Sequence, residues 1–255
     1  MELLASISFY AYVFLFCELS RRIARLIWND TDPSVYFRLQ LCDEFLGTLQ
    51  LASCVFETSA ILESYGLLAY FVAVSTVIWM HIQTKRGHVS SNPCALFEQW
   101  LVKRSLPTRR FLGLVAAECV AGVCSYRVAR MFWRFEMSHG HRNKFRQMFC
   151  SANLQATLTE AILYELVATL LDRYLALKAA GRFRRAVVDV LAALQVGLIT
   201  VIGMEKTGMF FNPILASSVL FGCEGFSSLD HCMVYWIGPV VGWIIGTKLS
   251  REKYL

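Results

Sequence analysis

The chain has 255 residues, of which 56% are hydrophobic and 17% are charged, and its mean hydropathy is +0.47. A soluble domain of this length carries about a quarter charged residues, so the composition excludes an ordinary soluble protein and indicates an integral membrane protein. The net charge of +6 does not indicate nucleic-acid binding, because the basic residues cluster between apolar segments.

An apolar run over residues 3–19 is the first predicted helix, and Arg21, Arg22 and Arg25 follow it. No basic region precedes the run and no small-residue cleavage site ends it. We therefore interpret it as an uncleaved anchor helix with its N-terminus outside the cytosol. The polar segment 29–34 predicts a break, so residues 1–36 are interpreted as an anchor helix and its linker.

Six more apolar segments are long enough to span a bilayer: residues 39–62, 66–82, 111–132, 153–175, 186–204 and 231–248. Most basic residues fall in segments that would then share one side, namely 21–38, 85–110, 178–185 and the C-terminal tail. The positive-inside rule makes this side cytosolic, although the basic loop 134–146 opposes the trend.

Two further apolar runs are too short to cross a bilayer, and each begins with Asn-Pro. They are Asn92-Pro93-Cys94, before residues 95–102, and Asn212-Pro213-Ile214, before residues 215–221. Asparagine is a good N-cap, and proline fits the first turn because its missing N–H would be unpaired there. Two half-helices at matching positions of a membrane protein indicate a solute path built from an inverted repeat.

The spacing of acidic residues supports two repeats, 37–135 and 153–250, within a channel domain over residues 37–255. Glu44 precedes Asn92 by 48 residues (92 − 44), and Glu160 precedes Asn212 by 52 (212 − 160). Each repeat has three spans, so the two repeats must run in opposite directions through the membrane. A carboxylate within a span is costly without partners, so we expect Glu44 and Glu160 to accept hydrogen bonds from the loop backbones. A proton relay is the alternative.

These features resemble the aquaporin (major intrinsic protein) superfamily over residues 37–250. The matching motifs are Asp43-Glu44-Phe45-Leu46-Gly47-Thr48, the two Asn-Pro boxes, Thr207-Gly208 before the second box, and Tyr235-Trp236-Ile237-Gly238-Pro239-Val240-Val241-Gly242. The resemblance implies an all-α bundle of six transmembrane helices and two half-helices, here with an extra N-terminal helix. It also implies a homotetramer in a lipid bilayer, with one pore in each subunit.

Three features are similar to the unorthodox superaquaporin branch, which includes aquaporins eleven and twelve. They are the Asn-Pro-Cys box, the extra N-terminal segment, and Cys223, nine residues after Ile214 (223 − 214). The branch implies an intracellular membrane such as the endoplasmic reticulum, with the plasma membrane as an alternative. A disulfide, a subunit contact and plain packing all remain open for Cys223.

The family's selectivity filter implies further site residues. Its arginine stands three residues after the second box asparagine, where this chain has Leu215. Counting from the boxes gives Val72, Thr200 and Met209 as the other positions, with Phe71 in place of Val72 if the register slips by one. A filter without arginine is more apolar and would suit glycerol or hydrogen peroxide as well as water.

Two functions follow from these observations. The first is a passive channel for water and small neutral solutes. The second is a non-conducting endomembrane scaffold in which Ile214, Leu215 and Met209 close the path. An enzyme, a metal site and a cofactor are not expected, because no nucleophile–base pair or metal-ligand cluster is apparent. His139 and His141 could pair on a metal, but the composition of their loop favours solvated side chains.

Overall fold

The computed structural model describes residues 2–28, 33–85, 87–147, 150–152 and 155–251, and almost all of them are helical. The helices are α1 (Glu2–Ile27), α2 (Pro33–Thr84), α3 (Pro93–Phe97), α4 (Thr108–Trp133), α5 (His139–Arg146), α6 (Leu158–Ala180), α7 (Arg185–Thr207), α8 (Pro213–Leu220), α9 (Ser228–Cys232) and α10 (Gly238–Arg251). The chain therefore has the all-α architecture that the sequence predicts.

The second and third predicted spans are present as two helical arms, residues 33–65 and 67–84, which turn back on each other at Gly66, whose φ of 77° favours glycine. His81 of the second arm therefore lies 3.0 Å from Gln50 of the first arm, and the label α2 covers both arms. Elsewhere several boundaries differ from the sequence prediction. Helix α3 continues into a π-helical turn, Glu98–Val102, and a second π turn, Met233–Ile237, joins α9 to α10. The predicted loop between α4 and α6 contains the short helix α5.

Within the part of the chain that the structure describes, five helical segments are long and apolar enough to cross a membrane: Glu2–Ile27, Val35–Thr84, Thr108–Trp133, Arg185–Thr207 and Ser228–Ser250. Many of their large apolar side chains are exposed on the outer surface, as a bilayer requires. Helix α6 is less apolar because it carries Glu165, Asp172 and Arg173, and each of these three has a hydrogen-bond partner inside the protein.

The two repeats pack in the same way. Helix α2 lies against α4 in the first repeat, and α6 lies against α10 in the second. Each half-helix crosses to the other repeat, because α3 contacts α10 and α8 contacts α4. Close approach of α10 to α6 depends on small residues at four-residue spacing: a Cβ at Gly238, Gly242 or Gly246 would meet backbone atoms of α6.

The extra N-terminal helix shares the core of the bundle. Phe9, Val13 and Cys17 of α1 are buried in the same apolar cluster as Leu51 of α2 and Trp133 of α4. Helix α1 is therefore an integral part of the packing around the channel domain.

A buried polar network fixes the end of the bundle that carries the N-terminus of α1. The Glu57 carboxylate accepts hydrogen bonds from Ser6 Oγ at 2.6 Å and from Trp133 Nε1 at 2.8 Å, and it contacts His141 Nε2 at 2.9 Å. His141 is almost fully buried, so the expectation of a solvated loop histidine is wrong at this position. Its side chain helps to hold α5 against α4 and against the first arm of α2, near the turn at Gly66.

Candidate functional site

The loop before the first box is held by Glu44, which is fully buried in α2. The Ser90 N–H donates to its carboxylate at 3.0 Å, and the Ser91 N–H donates at 2.6 Å. Helix α2 thus carries the partner that a buried loop backbone requires. A Cβ at Gly47, one turn further along α2, would lie 2.9 Å from Ser91 Oγ, so glycine allows the loop to approach the helix.

The loop before the second box is held by Glu165, and the prediction for Glu160 is wrong. Glu165 is fully buried in α6 and accepts the N–H of Phe210 at 3.1 Å, the N–H of Phe211 at 2.7 Å and the Thr207 hydroxyl at 2.7 Å. Glu160 is exposed and forms a capping box with Thr157 at the start of α6. Glu165 precedes Asn212 by 47 residues (212 − 165), which matches the first repeat better than Glu160 does.

The residue before each box asparagine has the same unusual backbone. Ser91 has φ 54° and Phe211 has φ 35°, in a region that residues other than glycine seldom adopt. Each of these residues donates its N–H to the buried glutamate of its own repeat. The strained backbone turns each asparagine toward the junction of the half-helices, and the glutamate stabilises that turn.

The two asparagines cap their own half-helices and bind the opposite loop. Asn92 Oδ1 accepts the Cys94 N–H at 3.0 Å, and Asn212 Oδ1 accepts the Ile214 N–H at 3.0 Å. Asn92 Nδ2 donates to the Phe211 carbonyl at 3.4 Å, while Asn212 Nδ2 donates to the Ser91 carbonyl at 2.8 Å. An amide nitrogen has two N–H groups, so each asparagine keeps one donor for another acceptor.

A cavity of about 310 Å³ runs past both asparagines. One wall is the second arm of α2, where Tyr70, Val74, Ile78, His81 and Lys85 line the cavity at a helical spacing. Residues 70–85 of a helix extend about 22 Å, at 1.5 Å per residue. The lining residues of this wall are therefore spread along a large part of the second arm of α2.

The family model for "Major intrinsic protein" matches residues 64–249, which is most of the chain. The chain belongs to the major intrinsic protein family.

Curated relatives cover nearly the whole chain. "Aquaporin-11" of Milnesium tardigradum is 25% identical over 98% of this chain and 87% of its own length. "Aquaporin-12" of Mus musculus is 27% identical over 96% of this chain and 84% of its own, and "Aquaporin-11" of Homo sapiens is 28% identical over 79% and 74%. The resemblance to the superfamily that was noted from the sequence is thereby confirmed, and these relatives carry the names of aquaporins eleven and twelve.

Solved structures agree on the fold. The X-ray structure of the aquaglyceroporin from Plasmodium falciparum superposes with a TM-score of 0.60 and 17% identity, over 84% of this chain and 96% of that chain. The match confirms an all-α fold of the family, and the family's members are membrane channels.

The filter positions expected of a major intrinsic protein fall partly on the cavity. Thr200, Met209 and Leu215 line it, whereas Val72 and Phe71 do not. Val72 is 53% exposed on the outer surface, and Phe71 packs beside Gly197 of α7. Counting without gaps is therefore wrong for α2, and Tyr70 stands on the cavity wall instead.

Ile214 of the second box points away from the cavity. Its side chain is 2% exposed and lies against α4, where a Cβ at Gly122 would be 2.9 Å from Ile214 Cγ2. The bulk of Ile214 is thus accommodated by the missing side chain at Gly122. Cys94, at the same position of the first box, is fully buried and also lies off the cavity wall. Pro93 and Pro213 occupy the first turns of α3 and α8.

Cys223 forms a disulfide with Cys150. The bond joins the segment before α6 to the segment after α8, and Ala152 and Glu224 add a backbone hydrogen bond beside it. The sequence left the state of Cys223 open, and the partner could not be deduced because nine cysteines are present.

Sequence reasoning also missed polar residues at the basic-loop end of the cavity. His81 Nδ1 lies 3.0 Å from Gln50 Oε1, and Asp172 accepts a hydrogen bond from Gln195 at 2.7 Å. Lys85 follows the last residue of α2, and burial lowers its pKa from the ordinary value. The positions of His81 and Lys85 could have been predicted, because both recur at helical spacing from Tyr70 along the second arm of α2. Among the described residues no cluster of three metal-ligating side chains is present.

Proposed function

We propose that the protein is a passive channel for water and small neutral solutes, including glycerol and hydrogen peroxide. The proposal depends on one observation: Asn92 and Asn212 border the same cavity at the N-terminal ends of two helical segments from opposite repeats. Each asparagine has an N–H donor that is not used in capping.

The path would select neutral solutes for two physical reasons. A solute oxygen can replace part of its hydration shell with the free N–H groups of the two asparagines. Cations meet the positive ends of the half-helix dipoles and are repelled. Most of the remaining wall is apolar, for example Leu51, Val77 and Leu215. A strongly hydrated solute would lose more hydrogen bonds to water on entry than the wall can replace.

The disulfide supports an orientation with the basic loops in the cytosol. Cys150 and Cys223 lie on the face opposite those loops, and disulfides persist in oxidising compartments such as the endoplasmic reticulum lumen or the exterior. We propose an intracellular membrane, as the branch resemblance implies, and a homotetramer. Native mass spectrometry of the purified protein in lipid nanodiscs tests the subunit number.

Flux measurements in proteoliposomes test the channel. Water, glycerol and hydrogen peroxide uptake are compared for the wild type, Asn92→Asp, Asn212→Asp and the control Asn143→Asp, whose side chain is exposed on α5. Both box variants should lose about tenfold or more of the flux, because a carboxylate offers no N–H donor. The control should match the wild type.

The same experiment separates the channel from the scaffold. A folded, inserted wild type that conducts no solute above bare lipid would favour the scaffold. Flux that survives in both box variants would place the path elsewhere in the molecule.

A further inference from the structure

Arg21 of α1 is a fully buried cation. Among the described residues it is the one lysine or arginine that is fully buried. Its three side-chain nitrogens donate no hydrogen bond to the described residues, and the carboxylate oxygen in its ion pair, Glu18 Oε2, is 3.6 Å from Nη1. A charge inside a membrane protein is costly, so a buried arginine with one distant ion partner points to a function for its charge.

The guanidinium lies directly behind the first box. Arg21 Nη2 and Ser91 Oγ are both within 4 Å of the point where a Cβ at Gly47 would stand. Ser91 immediately precedes Asn92, and both residues line the cavity. The charge is therefore close to the path without occupying it.

The charged side chains near the path include acidic groups that a buried cation would offset. Glu44 holds the first loop by accepting the N–H groups of Ser90 and Ser91, and Ser91 is also the loop residue nearest Arg21 around Gly47. Lys85 and Asp172 line the cavity with opposite signs. Position 215, where the family filter has an arginine, holds leucine here. Glu118 of α4 is a second fully buried acidic side chain beside Glu44, so Arg21 and Lys85 are the cations that face two acidic groups near the first box among the described residues.

We propose that Arg21, supplied by the extra N-terminal helix, excludes cations from this pore in place of a filter arginine. The inference rests on the proposed channel function. Its charge acts through the Ser91 loop rather than from the cavity wall, and a low-dielectric surrounding lets a unit charge act over such a distance. It thereby offsets the Glu44 carboxylate and adds to the repulsion from the half-helix ends. This electrostatic barrier does not affect the passage of neutral solutes.

Paired flux measurements on the full chain test this role. Proteoliposomes of wild type, Arg21→Gln, Arg21→Lys and Arg22→Gln are compared for proton and sodium entry under a fixed diffusion potential, and for glycerol and peroxide uptake. Arg22 is the matched control because it binds the same Glu18 but its side chain is 69% exposed. Arg21→Gln should raise cation entry about tenfold and leave neutral-solute uptake unchanged. Arg21→Lys and Arg22→Gln should stay at the wild-type level.

The outcomes separate this inference from the channel proposal. Neutral-solute uptake in Arg21→Gln without added cation entry would overturn the role of Arg21 and leave the channel intact. Cation entry in Arg21→Lys equal to that in Arg21→Gln would also overturn it, because a charge-preserving variant would then fail for reasons of packing. A wild type that conducts no neutral solute overturns the channel itself. Should Arg21→Gln not insert, Arg21→Met takes its place, because methionine also removes the charge from a buried site, and the same results support or overturn the role.

Discussion

The loops before the two boxes have one backbone geometry and two different kinds of support. In each, a buried glutamate accepts the two N–H groups that precede the asparagine, and the residue before the asparagine has a positive φ. Around the first loop the neighbours are polar: Ser90, Ser91 and the buried Arg21. Around the second loop most neighbours are apolar, and Thr207, whose hydroxyl donates to Glu165, is a polar exception.

The second loop relies on shape. Ile214 fits over Gly122, Met209 lies in the space left by Gly203, and Phe210 packs edge-on against Tyr235. The hydrogen bonds from each loop backbone to its buried glutamate, called the frame below, are therefore common to both halves. The side chains that pack around the frame differ between the two halves. Disrupting the frame should therefore be more damaging than disrupting either kind of support.

The largest expected effect comes from the frame of the second loop. In Glu165→Gln an NH2 group replaces one of the two accepting oxygens. At least one buried N–H, for example that of Phe211, then has no acceptor. We expect a loss of about 4 kcal/mol of stability, together with loss of solute flux. Thermal unfolding in detergent measures the change. Glu160→Gln is the control on the same helix, and equal damage from it would restore the prediction made from sequence.

The disulfide should rank second. Cys150→Ser separates the segment before α6 from the segment after α8 and should cost about 3 kcal/mol. Cys232→Ser is the matched control, since Cys232 is an exposed free thiol. Unfolding is measured with and without reductant. If reductant lowers the melting temperature of Cys150→Ser as much as that of the wild type, the bond to Cys223 is not responsible.

The packing of the second box should rank third. Gly122→Ala pushes a Cβ against Ile214 and should cost about 2 kcal/mol. Adding Ile214→Ala should recover most of the loss, because the extra methyl group then fills the space that isoleucine occupied. Gly87→Ala is the control, since no atom lies within 4 Å of its Cβ position. Additive losses in the double variant would show that the two residues do not compensate each other.

The smallest expected effect concerns the filter. Tyr70→Phe removes one hydroxyl from the cavity wall and should change the ratio of glycerol to water uptake by about fivefold. Val72→Ala should leave the ratio unchanged, because Val72 is exposed on the outer surface. The opposite pattern would return the filter to the position obtained by counting from the first box.

The sequence determined the class of the molecule and the frame of the site. Hydropathy gave the membrane helices, because spanning segments must be long and apolar whatever they pack against. The Asn-Pro boxes and their family resemblance gave both half-helices, since N-cap asparagine and first-turn proline act locally. The sequence also identified Glu44 as the acceptor for the backbone of the first loop, because an acidic residue within a span needs a partner and this one stands at a regular spacing before Asn92.

Only the tertiary structure decided which side chains meet. Glu160 and Glu165 are both acidic residues of α6, and their separation by five positions places one on a capped end and the other against the second loop. The facing direction of Tyr70 rather than Val72 depends on how α2 is rotated against α7. The approach of Arg21 and Ser91 to the same side of Gly47 and the pairing of Cys150 with Cys223 bring together residues far apart in the chain. Local propensity carries no information about such contacts, because they arise from the packing of whole helices.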